Sequence, residues 1–178
     1  MAKSQTAKES LAIATHLVLP NDTNTLGNLM GGQLLNWMDM IAAISAHRHA
    51  HRIVVTASVN HVSFGQPVKL GDMVTLHAKV SRSFNSSMEV YIDVWVEDHR
   101  TSAKTKSNEA TYTFVAVDQL GSPIDVPQLV PEEDLEIKRY GGALRRRQLS
   151  LILAGKMKPD DATELKALFD FETGPENK

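Results

Sequence analysis

Residues 21–39 read NDTNTLGNLMGGQLLNWMD: a run of turn formers, a glycine pair, then a helical pattern that carries one carboxylate. Asn, Asp, Thr and Gly over residues 21–28 bond their own backbone or tolerate a positive φ, so this stretch predicts a structured loop. From Gly31 to about Arg48, the residues Leu34, Leu35, Met38, Ile41, Ala42 and Ser45 recur three and four apart, which predicts a helix. Its apolar residues occupy more than one side, so the helix is expected to be buried rather than to lie on a surface.

Glycines at a helix start let a ligand approach the backbone closely. The first N–H groups of a helix lack partners within it, and the macrodipole favours negative charge there. Acyl transfer needs such an arrangement for its oxyanion. Asp39 sits among Trp37, Met38, Met40 and Ile41, where a carboxylate costs several kcal/mol unless it is paired or used. Two readings stay open: a structural Asp bonded to backbone or on a wet face, and a functional carboxylate. Gly31 and Asp39 are two turns apart on one face, roughly 12 Å at 1.5 Å per residue. One reacting carbonyl cannot touch both. Either only one of them matters, or two copies of the helix pair so that Gly31 of one chain meets Asp39 of the other.

Outward from this segment the period changes. Residues 11–19 form an apolar strand before the loop. After the helix, residues 53–64 are rich in Val and Thr. Val74, Leu76, Ala78 and Val80 alternate with polar residues, as do Met88, Val90, Ile92, Val94 and Val96, and Thr111–Val117 makes a last strand. Residues 67–72 and 85–87 are turns, and residues 98–107 a polar connection. Short connections force antiparallel neighbours. The economical arrangement is an α+β fold with one antiparallel sheet around the helix. From Pro127 the character changes: residues 132–153 predict a charged helix, ending near Arg145, Arg146 and Arg147, and residues 160–171 a shorter one. The expected division is a domain over 8–125 and a charged helical extension over 126–178, with residues 1–9 polar and loose.

Composition narrows the function. The chain has 178 residues, 42% of them apolar, enough for a core without disulfides or metals. It has no cysteine, which removes thiol and Cys-zinc chemistry and any need for an oxidising compartment. The start MAKSQTAKES lacks the apolar stretch of a secretory signal, and no apolar run nears the roughly 20 residues of a membrane helix. The expectation is a cytoplasmic protein without a membrane partner. A formal charge of −2 argues against a nucleic-acid partner. His47 and His51, one turn apart with His49 between them, could share a metal. No third ligand accompanies them and histidines suit a helix C-terminus, so no metal site is expected.

Four stretches taken together (residues 21–46, NDTNTLGNLMGGQLLNWMDMIAAISA; 59–72, VNHVSFGQPVKLGD; 83–98, SFNSSMEVYIDVWVED; 111–123, TYTFVAVDQLGSP) resemble, in order and spacing, the YciA-type and cytosolic acyl-CoA hydrolases, which are hotdog-fold thioesterases. The resemblance covers roughly residues 8–125. It implies a hotdog fold and hydrolysis of acyl-CoA to a carboxylic acid and coenzyme A, with no cofactor beyond the coenzyme A of the substrate. It implies Asp39 as general base or nucleophile and Asn24 as its partner across a dimer interface. Asn24 is preferred to Asn28 because the family's Asn follows the turn Asp-x, here Asp22–Thr23. The oxyanion amide falls on Gly31, with Gly32 adjacent. A homo-oligomer is implied, with a dimer as the minimal active unit and a trimer of dimers as the assembly.

The chain departs from that pattern in two places. Met30 precedes the glycine pair where many relatives carry His or Phe, and Phe84–Asn85–Ser86–Ser87 replaces Gly-Arg-Ser-Ser, so an Arg contact to the coenzyme phosphates is missing. Arg82 is a candidate substitute, and Arg145, Arg146 and Arg147 are others, set against a solvated helix end. Ser86 and Ser87 either hydrogen-bond the pantetheine arm or shape a hairpin turn. Thr56 either touches substrate or is an ordinary strand residue. Two rivals remain. A hotdog hydratase or dehydratase needs a His in the loop or helix opening, and none lies between Leu17 and Ile44. A non-catalytic CoA-binding module would not need the set Asn24, Gly31 and Asp39.

Overall fold

The computed structural model describes residues 4–60, 62 and 65–169. The chain divides into two compact units, Met1–Pro131 and Glu132–Lys178. In the first, β1 (Gln5–Thr6) leads into β2 (Ala12–Leu17), the loop, α1 (Gly31–Ala50), β3 (Ile53–Asn60), β4 (Met73–Ser83), β5 (Ser87–Glu97), β6 (Lys104–Val117) and β7 (Leu129–Val130). Five of these form one antiparallel sheet in the order β2-β4-β5-β6-β3, and β1 pairs with β7 in parallel. That second pairing ties residues 129–130 to β1 within the first unit.

Helix α1 packs against all five strands of the sheet. Facing it, Val74, Leu76, Ala78 and Val80 of β4 and Met88, Val90, Ile92 and Val94 of β5 are all completely buried, which is the period-2 burial of a sheet with one covered face. From α1 come Leu34, Trp37, Met38, Ile41, Ala42 and Ala46. Burying each large side chain of this set contributes ~1.5–3 kcal/mol. The helix is nevertheless not buried all round: Met40 and Ile44 are 47% and 46% exposed. One side of it meets the sheet, and Met40 and Ile44 stand on the exposed part of its surface.

Several local expectations change. β6 starts at Lys104, so the last four residues of the presumed polar connection are strand, with Lys104, Thr105 and Lys106 paired to Glu97, Val96 and Trp95. β3 is described to Asn60; His61, Ser63 and Phe64 lie outside the described residues. Within the presumed loose start, Gln5–Thr6 is strand and Lys8–Ser10 a 3-10 turn, while residues 1–3 lie outside the described residues. In the second unit α2 spans Asp134–Leu153, started by Glu136, whose carboxylate accepts from the backbone N–H groups of Glu132 and Glu133. The three arginines therefore sit inside α2 and not at its end. In place of the shorter helix expected over 160–171 there are a 3-10 turn at Pro159–Asp161 and a single turn, α3, at Thr163–Lys166; residues 170–178 lie outside the described residues. Among the described residues no helix is long and apolar enough to cross a membrane.

The three histidines at the end of α1 are ties to separate partners. His47 Nδ1 bonds the carbonyl of Arg52, His51 Nε2 bonds Gln5, and His49 Nε2 lies 2.9 Å from the carbonyl of Pro127. A carbonyl only accepts, so Nε2 of His49 carries the proton. Its Nδ1 is bare, buried and without a partner among the described residues. Burial pushes the His49 pKa below its ordinary 6.5, against the opposing pull of the Pro127 carbonyl. The unfolded chain thus binds the proton more readily. The stability from this group is fully present above 6.5 and is lost as pH falls through 6.5 towards the depressed folded value. The melting temperature is expected to fall over that window, and less steeply in His49→Gln. Parallel pH profiles for the two proteins would exclude His49 as a source of the acid sensitivity.

Candidate active site

The loop that carries Asn24 is fastened mainly by backbone. Asp22 accepts from the N–H of Leu19, and the N–H of Met30 donates to the carbonyl of Asp22. Thr23 bridges to Leu29. Gly27, at φ +71°, makes the tight turn between them and donates to the carbonyl of Asn24. From outside, residues 68–70 pin the loop: the N–H of Leu29 donates to the carbonyl of Val68 at 2.7 Å, and that of Leu70 to the carbonyl of Gly27 at 3.0 Å. The motif PVKLGD acts here as a clasp. Asp72, 4% exposed, holds it by accepting from the N–H of Lys69 and pairing with His99 at 2.8 Å. These bonds to His99 and Lys69 outweigh the cost of burial and hold its carboxyl below the usual range.

Within the loop, Asn24 Oδ1 accepts from the N–H groups of Leu26 and Asn28 at 2.9 and 3.2 Å. The carbonyl end of the side chain is thereby spent, and Nδ2 is the end left to act on a ligand. Asn24 and Gly31 line one recess of about 330 Å³, together with Asn28, Leu34, Val68 and Asn108. Met30 precedes α1 in extended conformation and forms no side-chain cap bond among the described residues. A Cβ placed on Gly32 would meet nothing within 4 Å. The amide end of α1 is therefore open to a ligand.

Asp39 does not line this recess. Its Oδ1 accepts from the Thr56 hydroxyl of β3 at 2.8 Å. Behind it, the Tyr112 hydroxyl donates to the carbonyl of Leu35 at 3.3 Å, one helical turn before Asp39. Burial first, and the charge of Asp39 second, push the phenol up to about 12, so Tyr112 stays a neutral donor at ordinary pH. Asn24 with Gly31, and Asp39 with Thr56, thus make two groups within one chain, as their roughly 12 Å separation along the helix requires.

The remaining candidates are dispersed. Ser86 and Ser87 shape the turn between β4 and β5: the Ser86 carbonyl accepts from Ala116 and that of Ser87 from Phe84. Arg82 sits over the Phe84 ring at 5.7 Å. Arg145, Arg146 and Arg147 lie half-buried in the second unit, where Arg146 also donates to the carbonyl of Arg139. Among the described residues no group of three or more His, Cys, Asp or Glu is placed to hold a metal.

Residues 26–103 match the thioesterase superfamily. The chain is 41% identical over 139 residues to the uncharacterized acyl-CoA thioester hydrolase YkhA of Bacillus subtilis, covering 78% of this chain and 81% of that one. The chain belongs to the hotdog thioesterase superfamily. Its fold is similar to an apo hexameric acyl-CoA thioesterase (TM-score 0.82, 39% identity, 85% of this chain and 97% of that one). It is also similar to the Staphylococcus aureus acyl-CoA hydrolase solved with butyryl coenzyme A, coenzyme A and coenzyme A disulfide (TM-score 0.79, 36% identity, 86% and 95%). That hydrolase has been solved as three single alanine variants, at an asparagine, an aspartate and a threonine, in chain order 15 and then 17 residues apart. In this hotdog thioesterase-superfamily chain Asn24, Asp39 and Thr56 have the same spacings, 15 and 17. Of the three, Thr56 carried the weakest sequence signal, since a β-branched residue in a strand needs no special reason; its bond to Asp39 supplies one.

Proposed function

We propose that the chain hydrolyses acyl-CoA thioesters to a carboxylic acid and coenzyme A at a site shared between two subunits. The observation that carries this reading is the set Asn24, Asp39 and Thr56, which repeats the spacing of the three residues varied in the S. aureus hydrolase, on a chain of the same superfamily. The Gly31 N–H binds the thioester carbonyl oxygen as charge grows on it. Asp39 either takes a proton from water as it attacks the carbonyl carbon, or attacks directly to give a mixed anhydride that water then opens. In both routes the C–S bond breaks and the coenzyme leaves as thiol. Asn24 Nδ2 positions the water or the carboxylate. Thr56 orients Asp39.

Two features support the shared arrangement. β3 stands at an edge of the sheet, and Met40 and Ile44 of α1 are exposed. A second copy of the chain supplies both hydrogen bonds and apolar cover. Hexameric acyl-CoA thioesterases among the structural neighbours support a homo-oligomer, and a trimer of such dimers is the assembly we infer.

The test is release of free thiol from a panel of acyl-CoAs, from acetyl to palmitoyl. Because the chain has no cysteine, a thiol reagent reads only the coenzyme. No turnover on any member by correctly assembled protein would end this reading. Thr56→Val, which keeps the shape and deletes the donor, is expected to lower kcat about tenfold or more, in line with ~1.5–3 kcal/mol for a hydrogen bond to a charged group. A wild-type kcat in Thr56→Val would leave Thr56 without a part in holding Asp39.

A further inference from the structure

Along β6 alternate residues face α1, and Ala110, Tyr112, Phe114 and Ala116 are each at most 1% exposed. Asn108 stands one step earlier in the same alternation. It lies opposite Val94 of β5, itself fully buried, and is only 4% exposed. A carboxamide in this apolar phase costs free energy unless both its ends are bonded. Its Oδ1 accepts from the Ser107 hydroxyl, but its Nδ2 is buried and has no hydrogen-bond partner among the described residues. Asn108 also lines the recess that holds Asn24 and Gly31. None of the catalytic steps described above uses it.

We propose that Asn108 is a substrate-binding residue, whose Nδ2 donates to an acceptor oxygen of the thioester substrate once the recess is filled. This rests on the thioesterase reading. An orphaned donor in the wall of a ligand recess is the arrangement that discriminates best between substrates. It is satisfied only when an oxygen arrives, and it stays unpaired beside an analogue that lacks one. The oxygen has two sources, the thioester carbonyl itself or an amide carbonyl of the pantetheine arm.

The roles of binder and of imperfect core residue have opposite signatures. At an unsatisfied core position, Asn108→Leu removes a buried polar group of similar volume, so it leaves kinetics alone and holds or raises the melting temperature. At a binding position the melting temperature is likewise held, but KM rises. The experiment compares wild type, Asn108→Leu and the smaller Asn108→Ala by thermal unfolding and by kcat and KM. Three thioesters of one acyl group serve as probes: the butyryl ester of coenzyme A, that of N-acetylcysteamine, and an S-alkyl ester without any amide. We expect KM for butyryl-CoA to rise at least tenfold in both variants, with the Tm of Asn108→Leu at or above wild type. A penalty that persists in all three esters assigns the oxygen to the thioester; one that vanishes in the amide-free ester assigns it to pantetheine. Wild-type KM and kcat in both variants, or a KM loss that tracks a lowered Tm in both, would overturn the proposal. Absence of turnover by the wild-type chain would instead remove the thioesterase reading on which it stands.

Discussion

Asp39→Ala is expected to lower kcat at least about a hundredfold, with assembly and melting temperature close to wild type. That loss corresponds to about 2.7 kcal/mol of transition-state stabilisation, a modest demand on a group that serves as base or nucleophile. Asp39→Asn should behave alike, since it keeps the shape and the Thr56 contact but loses the charge. Fold disruption is not expected. Asp39 is only half-buried, and its side chain bonds to an exposed threonine hydroxyl. A correctly assembled Asp39→Ala protein that turns over near the wild-type rate would end the assignment.

Mixing two inactive chains should restore activity. Asn24 and Gly31 line a recess that Asp39 does not reach, and along α1 Gly31 and Asp39 are roughly 12 Å apart. In a shared site, one subunit supplies Asn24 and Gly31 and its neighbour supplies Asp39. A dimer of one Asn24→Ala chain and one Asp39→Ala chain then has one site with both lesions and one with neither. With equal amounts and random exchange, half of the dimers are mixed and each has one good site. Recovery should therefore approach about a quarter of wild type, the statistical result for a two-site isologous interface. Verified mixed dimers that stay inactive would show that each chain's own Asn24 and Asp39 work together.

What could be read without coordinates, and what could not, follows from which contrasts a sequence carries. β4 and β5 were legible because each alternates between a fully buried face and a more polar one. The start of β6 was not, because Lys104, Thr105 and Lys106 are all polar and the alternation has no apolar phase to reveal it. Asp39 stood out as a charge among apolar neighbours. Thr56 did not stand out, since a threonine in a strand is ordinary until its hydroxyl is found 2.8 Å from that charge. The exposure of Met40 and Ile44 was hidden for a different reason: surface that suits a second subunit has the same composition as core. Asn108 was legible in principle. It is a polar residue in phase with Ala110, Tyr112, Phe114 and Ala116, but the phase can be read only once β6 is known to begin before it.

The clasp around the Asn24 loop has an evolutionary consequence. Its fastenings to residues 68–70 run from N–H to carbonyl, and backbone groups survive almost any substitution except proline. Leu26, 81% exposed at the loop tip, and its neighbour Thr25 can therefore drift without moving the asparagine between them and Thr23. A lineage with this fold can rewrite the tip of the loop by point mutation while the placement of its asparagine is inherited unchanged.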